Sequence, residues 1–161
     1  MARTFMSVAL LGVVLAVAAS AHAAPRHAPS FTVRLLAGGT LSLSDLKGTP
    51  AVLLFWAPWC PTCNADAPGW ERAYRRWRGK GIKVVGFGLL DTKPAVEAFV
   101  QKYHLTFPNG YDDGGRIAKA YGFTVQPYWA VISKDGTLVR AEYGPSSEQA
   151  LEAAIAGQVQ R

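Results

Sequence analysis

The chain has 161 residues, half of them hydrophobic and 11% aromatic, which is room for one domain with a core that needs neither a structural metal nor several disulfides. Its two cysteines stand three positions apart, and this excludes a disulfide framework, because a bridge closing so short a loop removes little chain entropy. The net charge of +6 accompanies no nucleic-acid-binding motif, so no nucleic-acid partner is expected.

Arg3 precedes an apolar run from Val8 to Ala19, followed by small residues through Ala24. This is the pattern of a secretory signal peptide over residues 1–23, with Ala21-His22-Ala23 as the cleavage site and His22-Ala23-Ala24 as the one-residue alternative. An uncleaved membrane anchor is the competing reading, although the run is short for a span of about 20 residues. A periplasmic or secreted protein is expected, in an oxidising compartment where disulfide chemistry persists.

Residues 24–30 read as a flexible lead and 31–161 as one domain. Phe31–Leu35 and Thr40–Leu43 are short strands flanking Gly38-Gly39, which suits a hairpin. Ser44–Gly48 reads as a brief helical turn. Ala51–Trp56 is a continuous apolar run between prolines, as expected of a strand covered on both faces, with Trp56 in the core. A helix follows from about Cys60, with Trp70, Ala73, Tyr74 and Trp77 on one face, a kink expected at Pro68, and Gly79 and Gly81 at its end. Arg72, Arg75, Arg76, Arg78, Lys80 and Lys83 read as its solvated face and the loop after it, with attraction to acidic partners as the alternative.

Ile82–Leu90 is a second buried strand. Asp91 or Thr92 caps the next helix, whose apolar face is Val96, Phe99, Val100 and Tyr103. His104 reads as a surface residue near its end. Phe107–Asp113 is a strand end or loop, and Arg116–Tyr121 a short helix. Tyr128–Ile132 and Leu138–Tyr143 flank the hairpin signal Lys134-Asp135-Gly136. The last helix opens at Ser146, which has capping-box spacing to Gln149. The fold class is α/β: a central mixed β-sheet flanked by helices, with an N-terminal β-hairpin.

The chemistry lies in Cys60-Pro61-Thr62-Cys63, which ends a buried strand and opens a helix. At a helix start the unpaired N–H groups and the macrodipole favour a thiolate on the first cysteine. Cys60 is therefore the expected nucleophile, and Cys63 resolves the mixed disulfide. Trp59 adjoins the nucleophile and reads as apolar surface around it.

Leu54-Phe55-Trp56-Ala57-Pro58-Trp59-Cys60-Pro61-Thr62-Cys63 resembles the active-site signature of the thioredoxin superfamily. With Asn64-Ala65-Asp66-Ala67-Pro68 it is similar to the exported TlpA/ResA/DsbE branch, and most of all to secreted DsbE-like proteins. The resemblance implies a thioredoxin fold and an exposed first cysteine. It also implies a cis-proline facing the disulfide, here Pro127, with Gln126 where most relatives carry Thr. Trp59, Pro61, Thr62, Gln126 and Pro127 are then the expected substrate-binding residues. The acid of this branch corresponds to Asp66, which either takes the proton from Cys63 or raises thiol pKa values by repulsion; an exposed acid stabilising the helix dipole is the alternative. Leu54 stands where thioredoxin carries a buried aspartate.

The expected activity is exchange of the Cys60–Cys63 disulfide with exported cysteine-containing proteins, with a membrane redox partner and no cofactor. Proline first between the cysteines resembles the oxidising exported members of the superfamily, and on that resemblance disulfide formation is the expected direction. The alternatives are a reductant serving cytochrome c maturation and a non-enzymatic domain with an inert disulfide. Asn64 after Cys63 excludes haem attachment, and Ala57 stands where a peroxidatic site would carry Thr or Ser.

Overall fold

The computed structural model describes residues 26–159. The signal peptide expected over residues 1–23 lies outside the described residues. The central strand, β4 (Ala51–Trp56), is the apolar run bounded by Pro50 and Pro58, and all six of its residues are buried. Side chains alternate across it. Val52, Leu54 and Trp56 point to one core, with Trp70, Ala73 and Trp77, Val96 and Phe99, and Leu151 and Ile155 from three helices. Ala51, Leu53 and Phe55 point to the other, with Phe31, Val33, Ala118 and Tyr121. Each fully buried large apolar side chain contributes roughly 1.5–3 kcal/mol, so double coverage makes β4 the anchor of the molecule.

Around it runs a six-stranded sheet in the order β1 (Arg26–His27), β8 (Thr137–Tyr143), β7 (Tyr128–Ile132), β4, β5 (Lys83–Gly88), β6 (Asn109–Tyr111). β4 is parallel to β5 and antiparallel to β7. A separate hairpin, β2 (Thr32–Arg34) and β3 (Thr40–Ser42), reaches the β6 edge through a bridge between Leu35 and Gly110. A β-carbon at position 110 would run into Val33, so the hairpin approaches this closely only over glycine.

The helices are α1 (Pro61–Trp77), α2 (Lys93–Lys102), α3 (Arg116–Ala120) and α4 (Glu148–Val159). α1 continues through Pro68, and it ends through a 3-10 turn at Gly81, whose φ of 70° a residue without a β-carbon adopts freely. Thr92 caps α2, its hydroxyl accepting the Ala95 N–H at 3.4 Å. α2 packs tightly on the sheet at Gly88, where a β-carbon would strike Val96.

Two expectations are corrected. Residues 26–30 were expected to belong to a flexible lead, but β1 pairs with Leu138 and Thr137 of β8, and the Ala28 N–H reaches the Gly136 carbonyl at 2.9 Å. The physical reason is the edge of β8, whose unpaired backbone groups accept any extended segment beside them. The second concerns α4. Ser147, not Ser146, caps it, accepting the Ala150 N–H at 3.3 Å. Ser146 is turned inward and buried against α1 instead.

The basic face of α1 is not merely solvated. Arg72 and Arg76 pair with Glu148, Arg76 also with Glu152, and Arg75 with Glu71. Exposed pairs contribute little individually, but those to Glu148 and Glu152 join α1 to α4, while Arg75–Glu71 lies within α1. Glu71 is itself buried and accepts the Thr106 N–H at 2.7 Å and its hydroxyl at 2.6 Å, tying α1 to the loop before β6.

Candidate active site

β4 delivers its carboxyl end to a tight turn in which the Cys60 N–H reaches the Ala57 carbonyl at 3.1 Å. Cys60 is then the N-cap of α1 in extended conformation, and Pro61 fills the first helical position, where a missing N–H is harmless. Cys60 and Cys63 form a disulfide with their Cα atoms 5.2 Å apart. The Cys60 sulfur accepts the Cys63 N–H at 3.1 Å, so one orphan donor of the helix start already points at it.

The exposed first cysteine that the resemblance implied is not what the disulfide form presents. Cys60 is 3% exposed and Cys63 0%. The sulfur of Cys60 is turned under the helix start, toward its partner. Of the two residues only Cys60 keeps any surface, and Cys63 keeps none.

Asn64, which the sequence reading passed over as a site residue, makes four side-chain hydrogen bonds. Its amide nitrogen donates to the carbonyls of Pro58 and Cys60, both at 2.8 Å. Its oxygen accepts from the Tyr103 hydroxyl at 2.6 Å and from the Lys102 ammonium at 3.2 Å. Nothing local in the sequence announces this, since the second pair of partners lies 38 and 39 residues away.

The rim is apolar. Trp59 is 55% exposed, and its indole N–H donates to the Leu90 carbonyl at 3.0 Å. Leu90, after β5, is itself exposed and has a φ of 58°, a left-handed conformation that a leucine adopts at a steric cost. The register pairing Phe55 with Tyr128 brings Pro127 to the level of Trp56, at the sheet end where the Cys60 turn leaves. The Gln126–Pro127 peptide bond is cis, and both residues are buried, beside exposed Val125. Pro61 is exposed and Thr62 half-buried. Leu54 is buried in β4, Trp56 lies in the core, and His104 sits exposed beyond α2.

Asp66 lies one turn after Cys63 and is half-buried. Its carboxylate accepts the Ser146 N–H at 2.8 Å and the Ser146 hydroxyl at 3.3 Å. Ser146 in turn accepts from the Trp70 indole at 3.0 Å. Burial raises the Asp66 carboxyl above its ordinary value of 3.8, against the opposing pull of the two Ser146 hydrogen bonds. The native state thus holds this proton more tightly than the unfolded chain does. Its contribution to stability is complete below the unfolded value and is lost as pH rises through the raised one. Asp66→Asn keeps an oxygen acceptor for Ser146 without the charge. It should therefore gain stability relative to the native protein as pH rises from acid to neutral, measured as urea midpoints across that range. A difference independent of pH would rule this out.

The chain matches the AhpC/TSA family over residues 25–141. It is 35% identical over 127 residues to the thiol-disulfide oxidoreductase ResA of Bacillus thuringiensis subsp. konkukian, covering 79% of this chain and 73% of that one. Among solved structures, a secreted Mycobacterium tuberculosis disulfide oxidoreductase homologous to E. coli DsbE superposes with a TM-score of 0.71 at 33% identity, covering 79% of this chain and 95% of that one. MTB DsbF superposes with a TM-score of 0.74 at 32% identity, covering 80% and 94% of the two chains.

Proposed function

Because the chain belongs to the AhpC/TSA family of the thioredoxin superfamily and is a thiol–disulfide oxidoreductase, we propose that it donates its Cys60–Cys63 disulfide to reduced, exported proteins. The observation that carries this direction is the Cys63 N–H aimed at the Cys60 sulfur at the start of a 17-residue helix. That donor is in place before the reaction and strengthens when the sulfur becomes an anion. A stabilised Cys60 thiolate stabilises the reduced form, and a stable reduced form makes the disulfide a stronger oxidant.

In this reading a substrate thiolate attacks the Cys60 sulfur, and Cys63 leaves as a thiolate that takes up a proton. A second substrate thiolate then attacks the substrate sulfur of the mixed disulfide and expels Cys60. The substrate loses two electrons and two protons and gains a disulfide, and the enzyme ends with two thiols. Trp59, Pro61, Thr62, Gln126 and Pro127 form the surface on which the substrate peptide lies, and Asp66 adjusts proton transfer at Cys63. In this reading residues 1–23 are a signal peptide, and the domain, which includes β1 from Arg26 onward, works in the periplasm or outside the cell. A membrane redox partner restores the disulfide.

One observation favours the reverse direction. Asp66, when charged, sets a half-buried carboxylate one turn from Cys63, and a like charge disfavours a thiolate. Equilibration with a glutathione redox series separates the two readings. A potential near about −120 mV supports disulfide donation, and one near or below about −270 mV establishes a reductant.

A further inference from the structure

Asn64 is the hinge between two parts of the chain that the reaction otherwise treats separately. Its orientation is fixed by its partners: the Lys102 ammonium only donates and the Pro58 and Cys60 carbonyls only accept, so oxygen and nitrogen cannot be exchanged. The Cys60 carbonyl already accepts the Asn64 backbone N–H at 3.0 Å, and the side-chain amide adds a second bond to it. The amide thus clamps both ends of the Pro58–Cys60 turn onto the first turn of α1.

We propose that Asn64 is a positioning residue for Cys60, and that Lys102 and Tyr103 at the end of α2 act on the nucleophile through it. The proposal rests on Cys60 being the nucleophile and adds what controls it. A cation and a hydroxyl at the amide oxygen polarise the group so that its positive end faces the residue carrying the sulfur. The charged groups of neighbouring elements divide cleanly. Lys102 of α2 bonds to Asn64, whereas Asp66 of α1 bonds to Ser146. Lys102 is held in place by the Tyr103 ring, 4.9 Å from its ammonium. The Cys60 thiolate is therefore favoured both by the helix start and by a charge from outside the active-site helix.

The test measures Cys60 alkylation at neutral pH and the equilibrium constant with glutathione, in the native protein and in three variants. Asn64→Ala removes all four bonds and should slow alkylation about threefold, because a thiol pKa one unit higher cuts the thiolate about tenfold while making it about threefold more nucleophilic. It should also move the glutathione equilibrium about tenfold toward the disulfide, close to 30 mV. Lys102→Met and Tyr103→Phe each remove one partner while leaving the amide donors, and should move the glutathione constant about threefold and alkylation about twofold the same way. A variant of lower urea midpoint with native alkylation and glutathione constants would make Asn64 a scaffold residue only and overturn the proposal. Should Asn64→Ala not fold, unchanged constants in Lys102→Met, a change on an exposed side chain, overturn it equally. Slow alkylation of Cys60 in the native protein removes the proposed function and this inference together. A reactive Cys60 indifferent to all three variants removes this inference alone.

Discussion

Cys60→Ser is expected to abolish disulfide exchange, while Cys63→Ser is expected to stop it one step later, with substrate still bonded to Cys60. The difference follows from which cysteine stands at the helix start and keeps some surface. Cys60 keeps 3% of its surface and takes the Cys63 N–H, whereas Cys63 is fully buried beneath it. A serine at position 60 has no sulfur to enter a disulfide, so no mixed species forms there and turnover falls to the uncatalysed background. With serine at position 63, the Cys60 thiolate attacks a disulfide substrate normally. The intramolecular thiolate that would displace it is missing, and the mixed disulfide accumulates. Mass spectrometry under non-reducing conditions after incubation with a disulfide peptide reads both outcomes. Equal adducts on the two variants would contradict the assignment of Cys60 as nucleophile.

Trp70→Ala is expected to remove about 3–5 kcal/mol of folding free energy, the range for truncating a fully buried aromatic. Trp70 is 1% exposed and packs at 6.4 Å, centroid to centroid, from Phe99 of α2. Its indole N–H also serves the carbonyl and hydroxyl of Ser146, both at 3.0 Å. Removing it opens a cavity and leaves buried acceptors without a donor. Against a total stability of about 5–15 kcal/mol, this is enough to put the variant near the folding threshold. Trp70→Phe separates the two contributions, because it retains most of the apolar area and loses only the donor, an expected cost of about 1–3 kcal/mol. Urea unfolding of both variants measures this, and a loss below about 1 kcal/mol for Trp70→Ala would show that α1 and the α4 entry are not coupled through this side chain.

Much of the fold was legible from local pattern. The apolar run Ala51–Trp56 is the central strand with the bounds expected, Tyr128–Ile132 is β7, Thr92 is a cap, and the turn at Lys134-Asp135-Gly136 joins β7 to β8. The cysteines were legible too, since a C-x-x-C after a buried strand and before an amphipathic helix places a sulfur at a helix start on geometric grounds alone. These features share a cause. Side-chain period, turn chemistry and capping act within about one or two turns of chain, and one sequence window contains all their parts.

The partners of the site residues were not legible, because they come from elsewhere in the chain. Asp66 read as an acid near the cysteines, yet its hydrogen bonds go to Ser146, 80 positions on, and Ser146 read as a cap before the structure turned it inward. Glu71 and Thr106 meet across 35 residues, and β1 finds its place only because β8 leaves an edge open. The Cys60–Cys63 pair and the strand that presents it were thus determined by the sequence itself. What surrounds the pair, from Asn64 bonded to Lys102 and Tyr103 to Asp66 held by Ser146, was decided by tertiary packing. The physical reason is that a buried polar group takes whichever donor or acceptor packing brings within about 3 Å.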